Sequence, residues 1–224
     1  MYKIALNAGH YMGTPGKRCH KSLDPNETRE NYLNRRVCDK VEAKLKAYDG
    51  YQLIRVDDTT GKTDVSIEKR AKKANDFGAD IYVSAHHNAL GKVFSGSGIE
   101  AYVYLKVDDA TKKIQKELYN AVIKYTGLKG DRSDPLRKAD FAECRLTNMR
   151  AVLLELGYMD SKVDVPIILT DKFADQVATG IVEVLVADGK LTKKKVEQPV
   201  TAKTISLDAL AAKLKKEGIS SITL

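Results

Sequence analysis

No apolar run in this chain approaches the roughly 20 residues needed to cross a bilayer. No secretory leader is apparent either, because Met1-Tyr2-Lys3 leads straight into a strand-like segment. That start is expected of a chain that begins in the cytoplasm or has been trimmed to its mature end. Cysteine is scarce: Cys19, Cys38 and Cys144 have no paired spacing, which argues against a disulfide framework and suits a reducing compartment. There is no Cys-x-x-Cys, which argues against a structural zinc knuckle. Internal repeats are missing too. No stretch interleaves aromatics with arginines in the manner of a nucleic-acid module. The net charge of +8 and pI near 9.2 are therefore not read as nucleic-acid binding. The lysines are scattered along helical faces and then gather between Lys190 and Lys195, as solvated faces that also favour approach to a polyanion.

What is present is an ordinary globular composition. The 224 residues are 43% apolar and 30% charged, enough for one domain with a real core and some chain left over. Periodicity alternates between strand and helix. Residues 2–8, 51–56, 79–85, 98–105 and 151–156 read as strands. Helical patterns follow from Glu30 to about Tyr48, from a cap at Thr63 or Asp64 to Phe77, over 109–125 and over 171–188; residues 11–28 must be a long loop. Strands separated by such helices imply an α/β fold, a mainly parallel, twisted sheet covered on both faces. The expected organisation is a domain over 1–189, a Lys-rich linker over 190–204, and a helix and short strand over 205–224. That last piece is too short to hold a core alone. It must pack on the main domain, on a second copy as a homodimer, or on a further segment.

Residues that can do chemistry cluster at strand ends, where open α/β sheets carry their sites. His10 follows Gly9 after the first strand. His86 and His87 follow the third, and since side chains alternate across a strand only one can face a given site; His86 is taken as inward and His87 as a rim or supporting group. Asn88 is placed to orient a neighbour or the substrate. Glu30 opens the first helix, where a carboxylate also complements the dipole without any metal, and Glu27 competes with it as a ligand. Glu155 ends the most apolar strand, Ala151–Leu156. Burial there raises a carboxyl pKa toward general acid–base use, unless an arginine such as Arg70 or Arg145 pairs with it. Two histidines and a carboxylate are a ligand set used by catalytic zinc. His20, in the long loop, has no role.

These motifs resemble the zinc-dependent N-acetylmuramoyl-L-alanine amidases of the amidase-3 type, from residue 2 to about 187. Asn7-Ala8-Gly9-His10 is similar to the family's Asp-Ala-Gly-His, and Glu30-Asn31-Tyr32-Leu33-Asn34 to its Glu-x-x-x-Asn. Arg55-Val56-Asp57-Asp58, Arg70-Ala71-Lys72-Lys73-Ala74-Asn75, Ser84-Ala85-His86-His87-Asn88-Ala89 and Gly98-Ile99-Glu100 follow in the family's order. Arg145-Leu146-Thr147 then leads to Val152-Leu153-Leu154-Glu155-Leu156-Gly157-Tyr158. The resemblance implies one Zn²⁺ on His10, Glu30 and His86, with Glu155 as catalytic acid–base. It leaves Asn7, Asn88, His87 and Arg70 as groups that support the ligands or bind substrate. The implied substrate is peptidoglycan, cut between N-acetylmuramic acid and L-alanine, as in autolysins and phage endolysins. An endolysin would wait in the cytoplasm before release to the wall; an autolysin would act outside the cell. Rival readings are a zinc peptidase or deacylase on another amide, and a non-catalytic wall-binding module. Four departures stand out: Asn7 replaces aspartate, which changes the group behind a metal-binding histidine, Tyr11-Met12 replaces two small residues, Arg150 replaces a proline, and Asp160-Ser161 replaces Ser-Asn.

Overall fold

The computed structural model describes residues 1–194 and 207–218. The chain divides into two compact units, Met1–Lys193 and Lys194–Leu224. The first begins with β1 (Tyr2–Ala8), α1 (Glu30–Leu45), β2 (Tyr48–Asp49), β3 (Tyr51–Arg55) and α2 (Ile67–Phe77). Then come β4 (Ile81–Asn88), β5 (Ile99–Val103), α3 (Asp109–Thr126), β6 (Leu136–Lys138) and α4 (Ala142–Arg145). It closes with β7 (Arg150–Tyr158), α5 (Val165–Ile168), α6 (Asp171–Asp188) and β8 (Thr192–Lys193). Of the second unit, the described part holds helix α7 (Leu207–Lys216), in line with the helical pattern after residue 205. The strand expected over 219–224 lies outside the described residues.

The main sheet has the order β3-β1-β4-β7-β5-β6. Every neighbouring pair in it is parallel except β5 with β7. From β1 the chain crosses to β3 on one side, then returns through α2 to β4 on the other. The direction of winding thus reverses between β1 and β4. In open α/β sheets such a switch point leaves a crevice beyond the strands' carboxyl ends, and ligands bind there.

Side-chain alternation divides the strands between two apolar layers. Ile4, Leu6, Ile81, Val83, Val152 and Leu154 face the larger core with α1, α3 and α6. Ala5, Tyr82, Ala151 and Leu153 face a smaller core under α2 and α4. Carried two residues further along each strand, the smaller-core face brings up Asn7, Ser84, His86 and Glu155. A period of two therefore aims the polar groups of three adjacent strands at one place.

The structure moves some boundaries. Helix α2 starts at Ile67 with Ser66 as its cap, its side chain accepting from the Lys69 amide, not at Thr63 or Asp64. The Asp58 carboxylate takes the amides of Lys62 and Thr63 at 3.0 and 2.7 Å, which holds 58–63 in a turn and delays the helix. Strand β4 runs on to Asn88, so both histidines are strand residues. The fold continues past Gly189, since β8 pairs antiparallel with β2.

Candidate metal centre and active site

The His10 backbone lies in the left-handed region, at φ 62°. A non-glycine residue is held there at a cost of about 1–3 kcal/mol only when its surroundings fix it. Here they do. Arg70 donates from Nη2 to the His10 carbonyl and from Nη1 to the Ala8 carbonyl, both at 2.7 Å. Asn31 donates to the carbonyls of Gly9 and His10, and Asn34 adds a second donor on Gly9. Arg70, singled out as a possible partner of Glu155 or of substrate, instead clamps the turn that aims His10.

Glu30 enters from the first turn of α1, fully buried. Its Oε1 lies 3.4 Å from His10 Nε2 and 3.2 Å from His86 Nδ1. Its Oε2 is buried without a hydrogen bond, and the nearest cation is the Lys17 ammonium at 3.5 Å. Burial alone would raise the Glu30 pKa, but the two histidines overcome it and hold the carboxyl at about 2. Burial lowers His10 to about 4, which leaves its ring neutral and able to act as a ligand. Among the described residues, His10, Glu30 and His86 form the group whose candidate ligand atoms all lie within 4.8 Å of one another. Ligands bound at zinc distances in a tetrahedron lie about 3.3–3.6 Å apart. The spacings of 3.4 and 3.2 Å are close to this, and the mixed imidazole–carboxylate donors and a buried Glu30 oxygen without a hydrogen bond suit such an ion.

Gly9 is part of this geometry. A Cβ built there would lie 2.1 Å from His86 Cε1, so the ring occupies the space a side chain would take. Gly9→Ala is therefore expected to push His86 aside and weaken zinc binding by about tenfold or more; competition with a chromophoric chelator measures this.

Glu155 lies directly across from His86 in the β4–β7 register and from Glu100 in the β5–β7 register. It shares a cavity of about 390 Å³ with His10, His86, Lys17 and Arg70. Its Oε2 is enclosed and has no hydrogen-bond partner. Burial raises its pKa to about 7, and the nearby His86 charge only partly offsets this. Neither arginine considered for it is its partner: Arg70 serves the His10 turn, and Arg145 pairs with Asp140. A carboxyl poised near neutrality with a free oxygen is suited to accept a proton.

The other candidates fall elsewhere. His87 is not at the rim. It faces the larger core, 2% exposed, and its Nδ1–H donates to Asn34 Oδ1 at 2.7 Å. Alternation put it there, and its backbone amide still reaches Glu30 Oε1 at 3.2 Å. Asn88 turns away to donate to Glu100 at 3.1 Å. Glu27 pairs with Arg18 in the loop and His20 with Ser22, so neither reaches the centre. Asn7 lies beneath it, accepting from Arg70 and donating to Ser84 and Glu143. Glu143 is the residue that sequence reasoning passed over. It lies on four-residue helix α4, where no periodicity or strand end marks it, yet its Oε1 is 3.3 Å from His86 Nε2.

The fold and this centre define an α/β domain with a candidate three-residue metal site at a sheet switch point. The model of the N-acetylmuramoyl-L-alanine amidase family, amidase-3 type, matches residues 4–187; the chain belongs to that family of amidases. A sporulation-specific N-acetylmuramoyl-L-alanine amidase of Bacillus subtilis is 28% identical over 231 residues, covering 100% of this chain and 85% of the relative. An endolysin of Bacillus phage SPP1 is 35% identical over 144 residues, covering 60% of this chain and 52% of the relative. Among solved structures, an amidase of Clostridium difficile 630 superposes with a TM-score of 0.74 at 26% identity, over 83% of this chain and 95% of its own. The catalytic domain of CwlV from Bacillus (Paenibacillus) polymyxa matches with a TM-score of 0.74 at 25% identity, over 86% and 100%.

Proposed function

We propose that this chain is a zinc-dependent peptidoglycan amidase in which His10, Glu30 and His86 hold the ion and Glu155 moves the proton. The observation that carries the proposal is the convergence of the three ligand atoms beside a carboxyl whose own oxygen is unpartnered. A zinc ion there would polarise the scissile carbonyl and bring the pKa of a water near neutrality. Glu155, ionised near and above pH 7, accepts the proton of the attacking water and returns it to the departing nitrogen of L-alanine. Arg70, Asn31 and Asn34 keep the His10 turn in place while this happens. The Lys17 ammonium, at the cavity mouth, offsets the negative charge gathered there. Relatives named endolysin and sporulation-specific amidase support a wall-lytic role, and the net charge of +8 favours approach to an anionic wall. Among the described residues no helix is long and apolar enough to cross a membrane.

The products decide between an amidase and a peptidase built on the same centre. Mass spectrometry of digested peptidoglycan is expected to find intact stem peptides with new L-alanine amino termini. Muropeptides still joined to glycan but cut within the stem would contradict it.

A further inference from the structure

We propose that Glu143 is a positioning residue for the metal centre: it holds the far edge of His86, so that Nδ1 faces Glu30 and His10. The inference rests on the zinc reading above and extends it to a residue outside the ligand set.

The His86 ring is gripped on three sides. Its Nδ1 is 3.2 Å from Glu30 Oε1, its Nε2 is 3.3 Å from Glu143 Oε1, and one face lies against Gly9. An imidazole nitrogen that binds a metal must be unprotonated, so the ring's proton has to sit on the other nitrogen. That nitrogen is Nε2, and the acceptor waiting for its hydrogen is Glu143. A carboxylate behind a metal-binding histidine fixes the tautomer and the ring plane and makes the ligand more basic.

Glu143 is itself immobilised, which a positioning group requires. Its Oε2 accepts from Ser84 Oγ at 2.6 Å, from Asn7 Nδ2 at 3.0 Å and from Tyr82 Oη at 3.4 Å. All three donors come from β1 and β4, the strands flanking the switch point. Asn7 is in turn fixed by Arg70, which donates to its Oδ1 at 2.7 Å. An amide at position 7 suits this arrangement because it offers Glu143 a donor. A second carboxylate at that distance would repel it.

The same contacts separate Glu143 from a proton-transfer role. One of its oxygens is taken by three donors and the other by His86, whereas Glu155 keeps an oxygen with no partner. Nor does Glu143 join the group of converging ligand atoms. It lies across the imidazole from that group.

Zinc affinity, measured by chelator competition on the full chain, tests the inference without recourse to turnover. Relative to wild type, Glu143→Ala is expected to bind zinc up to about 100-fold more weakly, and Glu143→Gln about tenfold. The amide still accepts the Nε2 hydrogen but carries no charge, so partial rescue is part of the expectation. In the zinc-loaded protein the His86 Nε2–H proton resonance should be protected in wild type and lost to solvent exchange in Glu143→Ala. Should the alanine variant not fold, the isosteric glutamine variant carries the affinity comparison. Wild-type affinity in both variants would overturn the inference while leaving the zinc site standing. Full zinc affinity in Glu143→Gln with turnover as low as that of Glu155→Gln would also overturn it, making Glu143 a reacting group. A wild-type chain that binds no zinc would overturn the metal reading itself.

Discussion

Glu155→Gln is expected to lower kcat/KM on peptidoglycan by about 10²–10⁴-fold, the usual contribution of a general base, while zinc binding stays at one ion per chain. Glutamine keeps the size of the side chain and removes the proton acceptor, so the loss falls on chemistry. The pH profile carries the same signature. Burial raises the Glu155 pKa to about 7, so its base form is lost as pH falls below neutrality and wild-type activity falls with it. A bound cation favours the ionised form, which places the acid limb at or below that value. Stability should move the other way. A carboxyl whose pKa is raised on folding gives the native state extra protons between the unfolded value and about 7. The Glu155 contribution to metal-free stability is then fullest at acid pH and is lost as pH rises through that window. Above it the wild type carries a buried charge that glutamine lacks. Metal-free Glu155→Gln should therefore be more stable than wild type at pH 8, by about 1–3 kcal/mol, in urea unfolding. Loss of zinc in Glu155→Gln would instead make this residue a ligand.

Removing the metal is expected to have the other large effect. Stripping wild type with a chelator should lower activity by at least about 10³-fold, since metal polarisation is worth several kcal/mol of barrier, and added zinc should restore it. His86→Ala should show the same loss without recovery. In the metal-free chain His86 stands between the carboxylates of Glu30 and Glu143. Burial would lower its pKa, but these neighbours overcome that and raise it to about 10. Deleting the imidazole leaves two buried carboxylates without their cation, which costs about 3–5 kcal/mol. His86→Ala should thus melt earlier than wild type, and chelation of wild type is the cleaner arm. Activity that survives exhaustive metal removal would contradict the zinc reading.

The strand ends were legible because the chemistry there follows the pleat. A buried strand is apolar until its last residues, so Gly9-His10, His86 and Glu155 stood out as polar groups where the apolar run stopped. Glu30 was separable from Glu27 only through resemblance, since both fit a helix start; in the fold the two are divided by the Glu27–Arg18 pair and the first turn of α1. Alternation turns His87 away from the centre, toward a rim or a supporting place, and a strand read as ending at Ala85 offers it no core to enter. With β4 running to Asn88, the same alternation rule buries it against Asn34. The antiparallel pairing of β5 left no mark, because a strand buried on both faces reads alike in either direction. Strands β2, β6 and β8, at two or three residues each, are too short for any period to show. Glu143 was invisible for the same reason: α4 is a single turn, and its glutamate gains meaning only through strands that lie about 60 and 140 residues earlier in the chain.

Anomalous scattering at the zinc edge from crystals of the metal-loaded chain tests the central claim most directly. The expected result is one peak within bonding distance of His10 Nε2, a Glu30 oxygen and His86 Nδ1, with Glu155 beside it and not bound to it. A peak ligated by Glu155, a peak on the Nε2 side of His86, or none at this centre would contradict it.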